Sequence, residues 1–287
     1  MKYLVLGSNN MVGHVVALFL IEHGNDVLGY DDLPSPLFHS IGASLYDLRA
    51  LKACIVKGSF DAVINCTAVI NEFAEQDKAE AVFINAFIPH YLEKITVGTQ
   101  TIVVHRSTDC IFSGKRGRYQ LSDTPDADSF YARTKAIGEI INSKDITIRT
   151  SLVGPELNPS GAGLLNWFMG QTGQINGFTK AIWTGLSTVE FSKEIDSLVR
   201  MRAHGLFQCV PATSISKYDL LKLFAKTMCV DKQIIPAENR FVDKSLVQSI
   251  EDYQLKIPSY ENMMTQMAEW ITQHKNLYPH YFIQGEK

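Results

Sequence analysis

The chain has 287 residues, of which 46% are hydrophobic, so it can bury the core of one elaborated domain or of two tightly joined ones. Its formal net charge of -3 and its isoelectric point near 6.2 provide no broad basic field, which argues against nucleic acid as a partner.

The cysteines and the apolar stretches predict where the protein resides. The five cysteines are odd in number and include no Cys-x-x-Cys pair, a pattern typical of reduced thiols in the cytosol. No apolar stretch approaches the roughly 20 residues of a membrane helix, and the first apolar run meets Gly7 too soon for a signal peptide. We therefore predict a cytoplasmic protein without a membrane partner.

The eight histidines lack metal-ligand spacing, so no metal site is predicted.

Short apolar runs alternate with longer segments through the first half of the chain. The runs at residues 3–6, 26–30, 62–65, 101–104 and 147–148 predict buried parallel strands, joined by crossover helices. The first helix is predicted over residues 11–22, before Gly24. Pro89 should kink or break a helix within residues 75–95, because proline lacks the amide donor. The pattern predicts an α/β fold with a Rossmann-type, doubly wound parallel sheet.

The turn after the first strand resembles a dinucleotide phosphate loop. Gly7 would permit the tight turn, Gly13 would let helix and strand approach, and free amides at the helix start would face a pyrophosphate. Asn10 occupies the middle position, where glycine is usual; asparagine tolerates unusual backbone angles, but it hinders close approach of the phosphate. A plain strand–helix turn is the alternative. The predicted cofactor residues here are Gly7, Ser8, Asn9, Asn10, Met11, Val12 and Gly13.

Asp31 ends the second predicted strand, where a carboxylate can accept hydrogen bonds from the adenine ribose hydroxyls. A 2′-phosphate would meet this negative charge, and residues 3–48 contain no Lys or Arg, so NAD(H) is favoured over NADP(H). A carboxylate that merely caps a turn beside Asp32 is the alternative. Later strand ends add further cofactor candidates along the adenine and ribose path, namely Asp47, Leu48, Cys66, Thr67 and Ala68.

Tyr131 and Lys135 are one helical turn apart and so share a helix face, with Ser107 and Thr108 upstream at a predicted strand end. Tyrosine can protonate a substrate oxygen while a cofactor delivers hydride, and the Lys135 ammonium together with the charge of the oxidised nicotinamide would lower the phenol pKa by favouring the phenolate. We therefore predict Thr108, Tyr131 and Lys135 as catalytic residues. Ser107, Tyr131 and Lys135 are also predicted to contact the cofactor. An ordinary half-exposed helix face is the alternative.

Beyond Gly154 the strand–helix rhythm fades. We predict a Rossmann domain over residues 1–154 with a return at about 180–204, and a remainder over 155–287 that is mostly a substrate-binding lobe. Amphipathic helices are predicted over residues 215–228 and 260–274. Asn166, Trp183 and Arg240 are the substrate candidates, because polar and aromatic side chains suit a sugar nucleotide, although a core role for the tryptophan is equally compatible.

In order and spacing, these motifs resemble the extended short-chain dehydrogenase/reductases, and among them the dTDP-4-dehydrorhamnose reductase branch. The resemblance covers residues 1–154 well and the rest loosely. It implies a Rossmann domain with a smaller C-terminal lobe and NAD(P)H-dependent reduction of a 4-keto group on a nucleotide-linked deoxysugar. It also implies catalytic positions at Thr108, Tyr131 and Lys135, support of the cofactor side by Asn85, and contact of residues 66–68 with the nicotinamide ribose. A homodimer is left open.

Related functions differ at a few positions. Nucleotide-sugar 4,6-dehydratases, which are similar here, carry glutamate where this chain has Cys110, and a thiol is a poor replacement for that general base. Reduction is therefore favoured over dehydration, while epimerisation at carbon four stays open because it uses the same Tyr and Lys. A catalytically idle binding module is a further alternative, since the regulatory subunit of methionine adenosyltransferase resembles the same branch. The presence of Thr108, Tyr131 and Lys135 counts against it.

Overall fold

A computed structural model of the protein describes residues 1–249, 253 and 256–282. The strands of these residues are β1 (Lys2–Leu6), β2 (Asp26–Asp31), β3 (Ser40–Gly42), β4 (Ala62–Asn65), β5 (Ile102–Arg106), β6 (Ile146–Arg149), β7 (Leu152–Val153), β8 (Ile175–Phe178), β9 (Ala181–Trp183), β10 (Leu186–Ser187), β11 (Gly205–Gln208), β12 (Ile215–Ser216), β13 (Ile234–Ala237) and β14 (Val242–Asp243).

The same part of the chain forms helices of very different lengths. They are α1 (Gly13–Glu22), α2 (Leu48–Gly58), α3 (Asn71–Gln76), α4 (Lys78–Val82), α5 (Ile88–Ile95), α6 (Phe130–Ile137), α7 (Leu164–Gly170), α8 (Thr188–Arg200), α9 (Lys217–Thr227) and α10 (Tyr260–Gln273). A π-helical turn, Phe83–Phe87, joins α4 to α5.

Seven strands form one parallel sheet in the order β11-β6-β5-β4-β1-β2-β3. All of the strands predicted from apolar runs lie in it, so the predicted Rossmann-type sheet is confirmed. β1 lies between β2 and β4, with Leu4 opposite Leu28 and Val63. The chain places β2 and β3 on one side of β1 and the later strands on the other side. At this reversal of strand order a crevice opens at the carboxyl ends of β1 and β4, where ligands bind in sheets of this kind.

Two strands of this sheet were not predicted. β3 has a single apolar residue, Ile41, and pairs only along the edge of β2, so its sequence carries no strand pattern. β11 pairs with β6, with Phe207 opposite Ile148, and it follows directly after the predicted return. Helix α8, which precedes β11, packs against α1. The division of the chain into two domains stays a prediction.

Successive residues of β1 face opposite layers of helices. Tyr3 and Val5 belong to a core that includes side chains of α1, α8 and α10, whereas Leu4 and Leu6 belong to a second core with side chains of α2 and α5. Both faces of the strand are therefore apolar, as expected for a parallel sheet covered on both sides.

The helix is not broken at Pro89, because residues 78–95 stay helical through the proline. The predicted disturbance takes the form of the π-helical turn directly before Pro89, while the helix itself is interrupted upstream, at Asp77. The π-helical turn changes the hydrogen-bond pattern where the amide that proline lacks would have donated. Pro89 cannot donate to the carbonyl of Asn85, and Gly138 approaches that carbonyl so closely that a Cβ would lie 1.9 Å from its oxygen.

The C-terminal half adds three small sheets, β7 with β10, β9 with β12 and β14, and β8 with β13. The two amphipathic helices predicted there are confirmed as α9 and α10. Helix α9 begins at Lys217 rather than 215, because residues 215–216 form β12 and Ser216 caps the helix. No helix in the described ranges has both the length and the apolar content needed to cross a membrane.

Candidate active site

The turn between β1 and α1 requires both of its glycines. Gly7 has a φ of +71°, a conformation that side chains with a Cβ rarely adopt. Gly13 lies against this turn, and a Cβ there would be 2.0 Å from the carbonyl oxygen of Gly7. The Gly7 amide donates to the Tyr30 carbonyl of the neighbouring strand. The predicted reasons for glycine at both positions are therefore present in the structure.

Asn10 lies over the start of α1. Its Oδ1 accepts hydrogen bonds from the amides of Val12, at 3.0 Å, and Gly13, at 2.8 Å. Its Nδ2 donates to the Cys66 carbonyl at 3.0 Å, across the gap between β1 and β4. The asparagine at the usual glycine position thus caps the helix whose amides were expected to face a phosphate.

Asp31, at the carboxyl end of β2, contacts the phosphate loop. Its Oδ2 accepts from the Asn9 amide at 2.8 Å and its Oδ1 accepts from the Asp32 amide at 2.9 Å. Asp31 therefore lies beside the phosphate loop, where a carboxylate could accept from the adenine ribose, and it also caps the turn at Asp32. Asp47 lies at the start of α2, where its Oδ1 accepts from the Ala50 amide, and its carboxylate serves as a helix cap.

The segment after β4 forms the wall opposite the loop. Cys66 is fully buried, and burial raises the pKa of its thiol to about 12. The group of this residue that faces the site is its carbonyl, which accepts from Asn10. Thr67 donates to Asn65 within the segment, and Ala68 lines the cleft. Asn85 is completely buried and clamps this wall: its amide group bonds both backbone groups of Val69 and the hydroxyl of Thr134 on α6.

One cleft of about 340 Å³ joins the phosphate loop to the tyrosine. It is lined at one end by residues 10–12 and at the other by Arg106, Thr108, Cys110 and Tyr131. Burial raises the pKa of Tyr131 to about 12, while the Arg106 guanidinium and the Thr108 hydroxyl each lower it in part. The phenol is therefore protonated at neutral pH, and the cation that acts on it is Arg106.

Lys135 shares a face of α6 with Tyr131, as the spacing predicts, but its ammonium is directed elsewhere. It is fully buried and donates to the Arg106 carbonyl at 2.6 Å, with His105 Nε2 at 3.2 Å. Burial, followed by the charge of Arg106, holds the pKa of Lys135 well below its ordinary value. The lowering of the Tyr131 pKa by Lys135 together with an oxidised nicotinamide stays a prediction.

Arg106 is the principal residue that sequence reasoning missed. It ends β5, whose first three residues are apolar, directly before Ser107, and a charged residue at a strand end beside a predicted site was the available signal. Its Nη2 lies 3.5 Å from the Cys66 carbonyl, and its Nε is buried without a hydrogen-bond partner in the described residues. Ser107 itself donates to Glu139, which forms a buried bidentate ion pair with Arg149, so its hydroxyl is engaged away from the cleft.

The three substrate candidates occupy different environments. Trp183 is buried in β9 beneath the Lys217 ammonium, which lies 4.9 Å from its ring centroid. Asn166 is also buried, and its Nδ2 is bonded to three carbonyls of the loop before α7. Arg240 lines a second cavity of about 300 Å³ with Lys217 and apolar side chains of α7, β8 and α9. Burial lowers the pKa of Lys217 to about 8.

Among the residues that the structure describes, no group of three or more His, Cys, Asp or Glu side chains is placed so that it could hold a metal ion.

Comparisons with known proteins identify the family of the chain. The model of the RmlD substrate binding domain matches residues 1–268. A dTDP-4-dehydrorhamnose reductase of Mycobacterium tuberculosis (strain ATCC 25618 / H37Rv) is 34% identical over 144 residues, which are 48% of this chain and 44% of that protein. The chain thus spans about half the length of the curated relatives it matches.

Solved structures share the fold over almost the whole chain. A dTDP-4-dehydrorhamnose reductase of Clostridium acetobutylicum has a TM-score of 0.79 at 20% identity, covering 95% of this chain and 100% of that one. The enzyme of the same name from Bacillus anthracis, solved in complex with NADP, has a TM-score of 0.78 at 18% identity and covers 93% of this chain and 98% of its own.

Proposed function

The chain belongs to the RmlD substrate binding domain family, and on this premise we propose that it reduces the 4-keto group of a nucleotide-linked deoxysugar with NADH or NADPH. The observation that carries the proposal is the single cleft that connects the amides at the start of α1 with Tyr131 and Thr108. A phosphate-binding end and a proton-donating end in one cleft are what hydride transfer to a carbonyl needs. The relatives named as dTDP-4-dehydrorhamnose reductases support the same reaction.

The residues around the loop fit a nicotinamide dinucleotide. Gly7 and Gly13 leave no room for side chains, so the turn and the start of α1 pack closely, as in a dinucleotide loop, and Asp31 lies beside the loop with two carboxylate oxygens. When bound, the dinucleotide supplies the hydride. Asp31 supports NADH as the favoured form, although a similar structure carries NADP.

Tyr131 would act as the general acid. Its raised pKa keeps the phenol protonated at pH 7, the form that donates a proton to the oxygen of a carbonyl as hydride arrives at the carbon. Arg106 would then stabilise the phenolate that remains, because its guanidinium is the strongest influence favouring that charge. Thr108 lines the same cleft and would donate a hydrogen bond to the substrate oxygen.

Lys135 would contribute mainly by position. Its hydrogen bond to the Arg106 carbonyl ties α6 to the end of β5 and so fixes Tyr131 relative to Arg106 and Thr108. Contact of Lys135 with the nicotinamide ribose, and of Asn85 with the cofactor side, stay predictions. Asn85 would support the site through the wall at Val69.

The test is direct. The purified protein is mixed with NADH or NADPH and a panel of nucleotide-linked 4-keto-6-deoxyhexoses, and cofactor oxidation is followed at the nicotinamide absorbance band. We expect oxidation that depends on the sugar. Binding of the cofactor without oxidation would instead identify an idle binding module, and conversion of a sugar without net oxidation would identify an epimerase.

We also propose the location and assembly of the enzyme. All five cysteines are free thiols, which supports a cytoplasmic protein. Exposed apolar side chains lie on the π-helical turn and along and after α6, namely Phe87, Ile137 and Ile141. Such residues are typical of a surface covered by a partner, and a second copy of this chain would cover them in a homodimer. Light scattering of the protein and of Ile137→Glu would test this.

A further inference from the structure

The Asn10 side chain accepts hydrogen bonds from the backbone amides that a bound phosphate would use. Helix α1 has no acidic residue in its first turn, and its N-cap residue, Val12, makes no side-chain cap. The Asn10 carboxamide takes that role, accepting from the Val12 and Gly13 amides. Free amides at a helix start are the donors that hold a pyrophosphate.

The carboxamide is held at both ends. While Oδ1 accepts from the helix, Nδ2 donates to the Cys66 carbonyl and lies 2.6 Å from the point where a Cβ on Gly7 would stand. The side chain therefore lies across the mouth of the loop. Asn10 has no positive φ, so the backbone at this position does not itself demand glycine.

We infer that Asn10 closes the phosphate loop on itself, and that a dinucleotide binds only when the Asn10 side chain turns away from the Val12 and Gly13 amides. This inference rests on the proposed function, since it concerns the same cofactor. The dinucleotide must displace the two hydrogen bonds on these amides, together with the one to the Cys66 carbonyl, so its affinity is lower than the loop would otherwise give. The Cys66 carbonyl keeps Arg106 as a neighbour when Asn10 leaves.

The inference predicts that a smaller residue tightens binding. Asn10→Gly should lower the dissociation constant for NADH roughly ten- to a hundredfold, the effect of two hydrogen bonds that no longer compete. Asn10→Ala should also lower the dissociation constant for NADH, and it controls for the backbone flexibility that glycine introduces. Asn10→Asp should weaken binding at least about tenfold, because a carboxylate would hold the amides and repel phosphate.

Calorimetric titration of the full chain with three probes isolates the cause. NADH and ADP-ribose both contain the pyrophosphate, whereas adenosine lacks it, so Asn10→Gly should improve the first two and leave adenosine unchanged. Ser259→Ala is the matched control, because it removes the cap of α10 far from the loop and should leave all three affinities unchanged.

The outcomes separate the inference from the proposed function. Weaker or unchanged binding of NADH and ADP-ribose to both Asn10→Gly and Asn10→Ala would overturn the inference, and weaker binding would indicate that Asn10 contacts the phosphate directly. Tighter binding by these variants, without oxidation of NADH by any keto sugar, would support the inference while the proposed function fails. Absence of dinucleotide binding in every variant would overturn both.

Discussion

The Lys135 ammonium donates a 2.6 Å hydrogen bond to the backbone carbonyl of Arg106, so the lysine of the Tyr-x-x-x-Lys motif holds the strand end that carries the cleft's cation. Lys135 is fully buried, whereas Arg106 lines the cleft with Tyr131. The charge of Arg106 favours the Tyr131 phenolate, and the Lys135 hydrogen bond ties α6 to the backbone of Arg106.

Arg106→Gln should lower turnover about ten- to a hundredfold, because the phenolate left after proton donation loses its neighbouring cation. Arg106→Lys should retain more of the activity, since it keeps the charge. Steady-state kinetics with the keto sugar would measure this, with Arg133→Gln on the exposed face of α6 as the control. Equal turnover in Arg106→Gln and the wild type would remove Arg106 from the mechanism.

Tyr131→Phe should bind the cofactor normally and reduce turnover by roughly a hundredfold or more, as expected when a general acid is lost. The pKa of about 12 also predicts a pH profile. Activity that needs the protonated phenol is lost only as pH rises through that pKa, so no alkaline limb from Tyr131 should appear below about pH 10. Tyr91→Phe, on α5, is the control. Wild-type turnover in Tyr131→Phe would exclude the residue.

Asp31→Ala should narrow a preference for NADH over NADPH, because the carboxylate beside the loop repels a 2′-phosphate. The ratio of kcat/KM values for the two cofactors measures the preference. Asp26→Ala, at the far end of β2, should leave the ratio unchanged. A wild type that strongly prefers NADPH would contradict this role of Asp31 and would indicate that a basic residue elsewhere, such as Arg49 in the first turn of α2, reaches the 2′-phosphate.

The protein should not make its own 4-keto-6-deoxy substrate from a 6-hydroxy nucleotide sugar. Cys110 lines the cleft where dehydratases place glutamate, and burial raises the pKa of its thiol to about 11, so it stays neutral at pH 7. Product analysis after incubation with NAD and a nucleotide hexose should recover the starting sugar. Accumulation of the 4-keto-6-deoxy product would show the assignment to be wrong.

His14 should make the fold sensitive to acid. It lies in α1 between the Asn10 carbonyl and the Tyr278 hydroxyl, and burial lowers its pKa from 6.5 to about 4. Below pH 6.5 His14 is protonated in the unfolded chain, but in the folded chain it stays neutral down to about pH 4. The free energy of unfolding therefore falls as the pH is lowered through this window. The loss is about 3 kcal/mol.

Denaturant titrations of the wild type and His14→Gln between pH 7 and pH 4 would measure that loss. The wild type should lose more stability than the variant over this range, because the variant has no proton to take up at residue 14. Parallel slopes in the two proteins would contradict the assignment.

The sequence predicts the sheet well because the strands through Ile64 and Val104 have apolar residues on both faces, a local pattern that tertiary packing reinforces. It does not predict β3, whose strand state depends on the exposed edge of β2. At the site, the shared helix face of Tyr131 and Lys135 follows from helical spacing alone. The direction of the Lys135 ammonium does not, because it depends on a carbonyl of β5, and neither does the Asn10 cap, which needs the loop closed in three dimensions.

The close approach of Gly138 to the Asn85 carbonyl has an evolutionary consequence. Pro89 withholds the amide that would otherwise draw that carbonyl into the helix, and Gly138 supplies the space in which it lies. A side chain at residue 138 would meet the carbonyl at 1.9 Å and push α6, with Tyr131, away from the wall that Asn85 clamps. A side chain at residue 138 is therefore expected only in relatives whose residue 89 is not proline and can draw the carbonyl back into the helix.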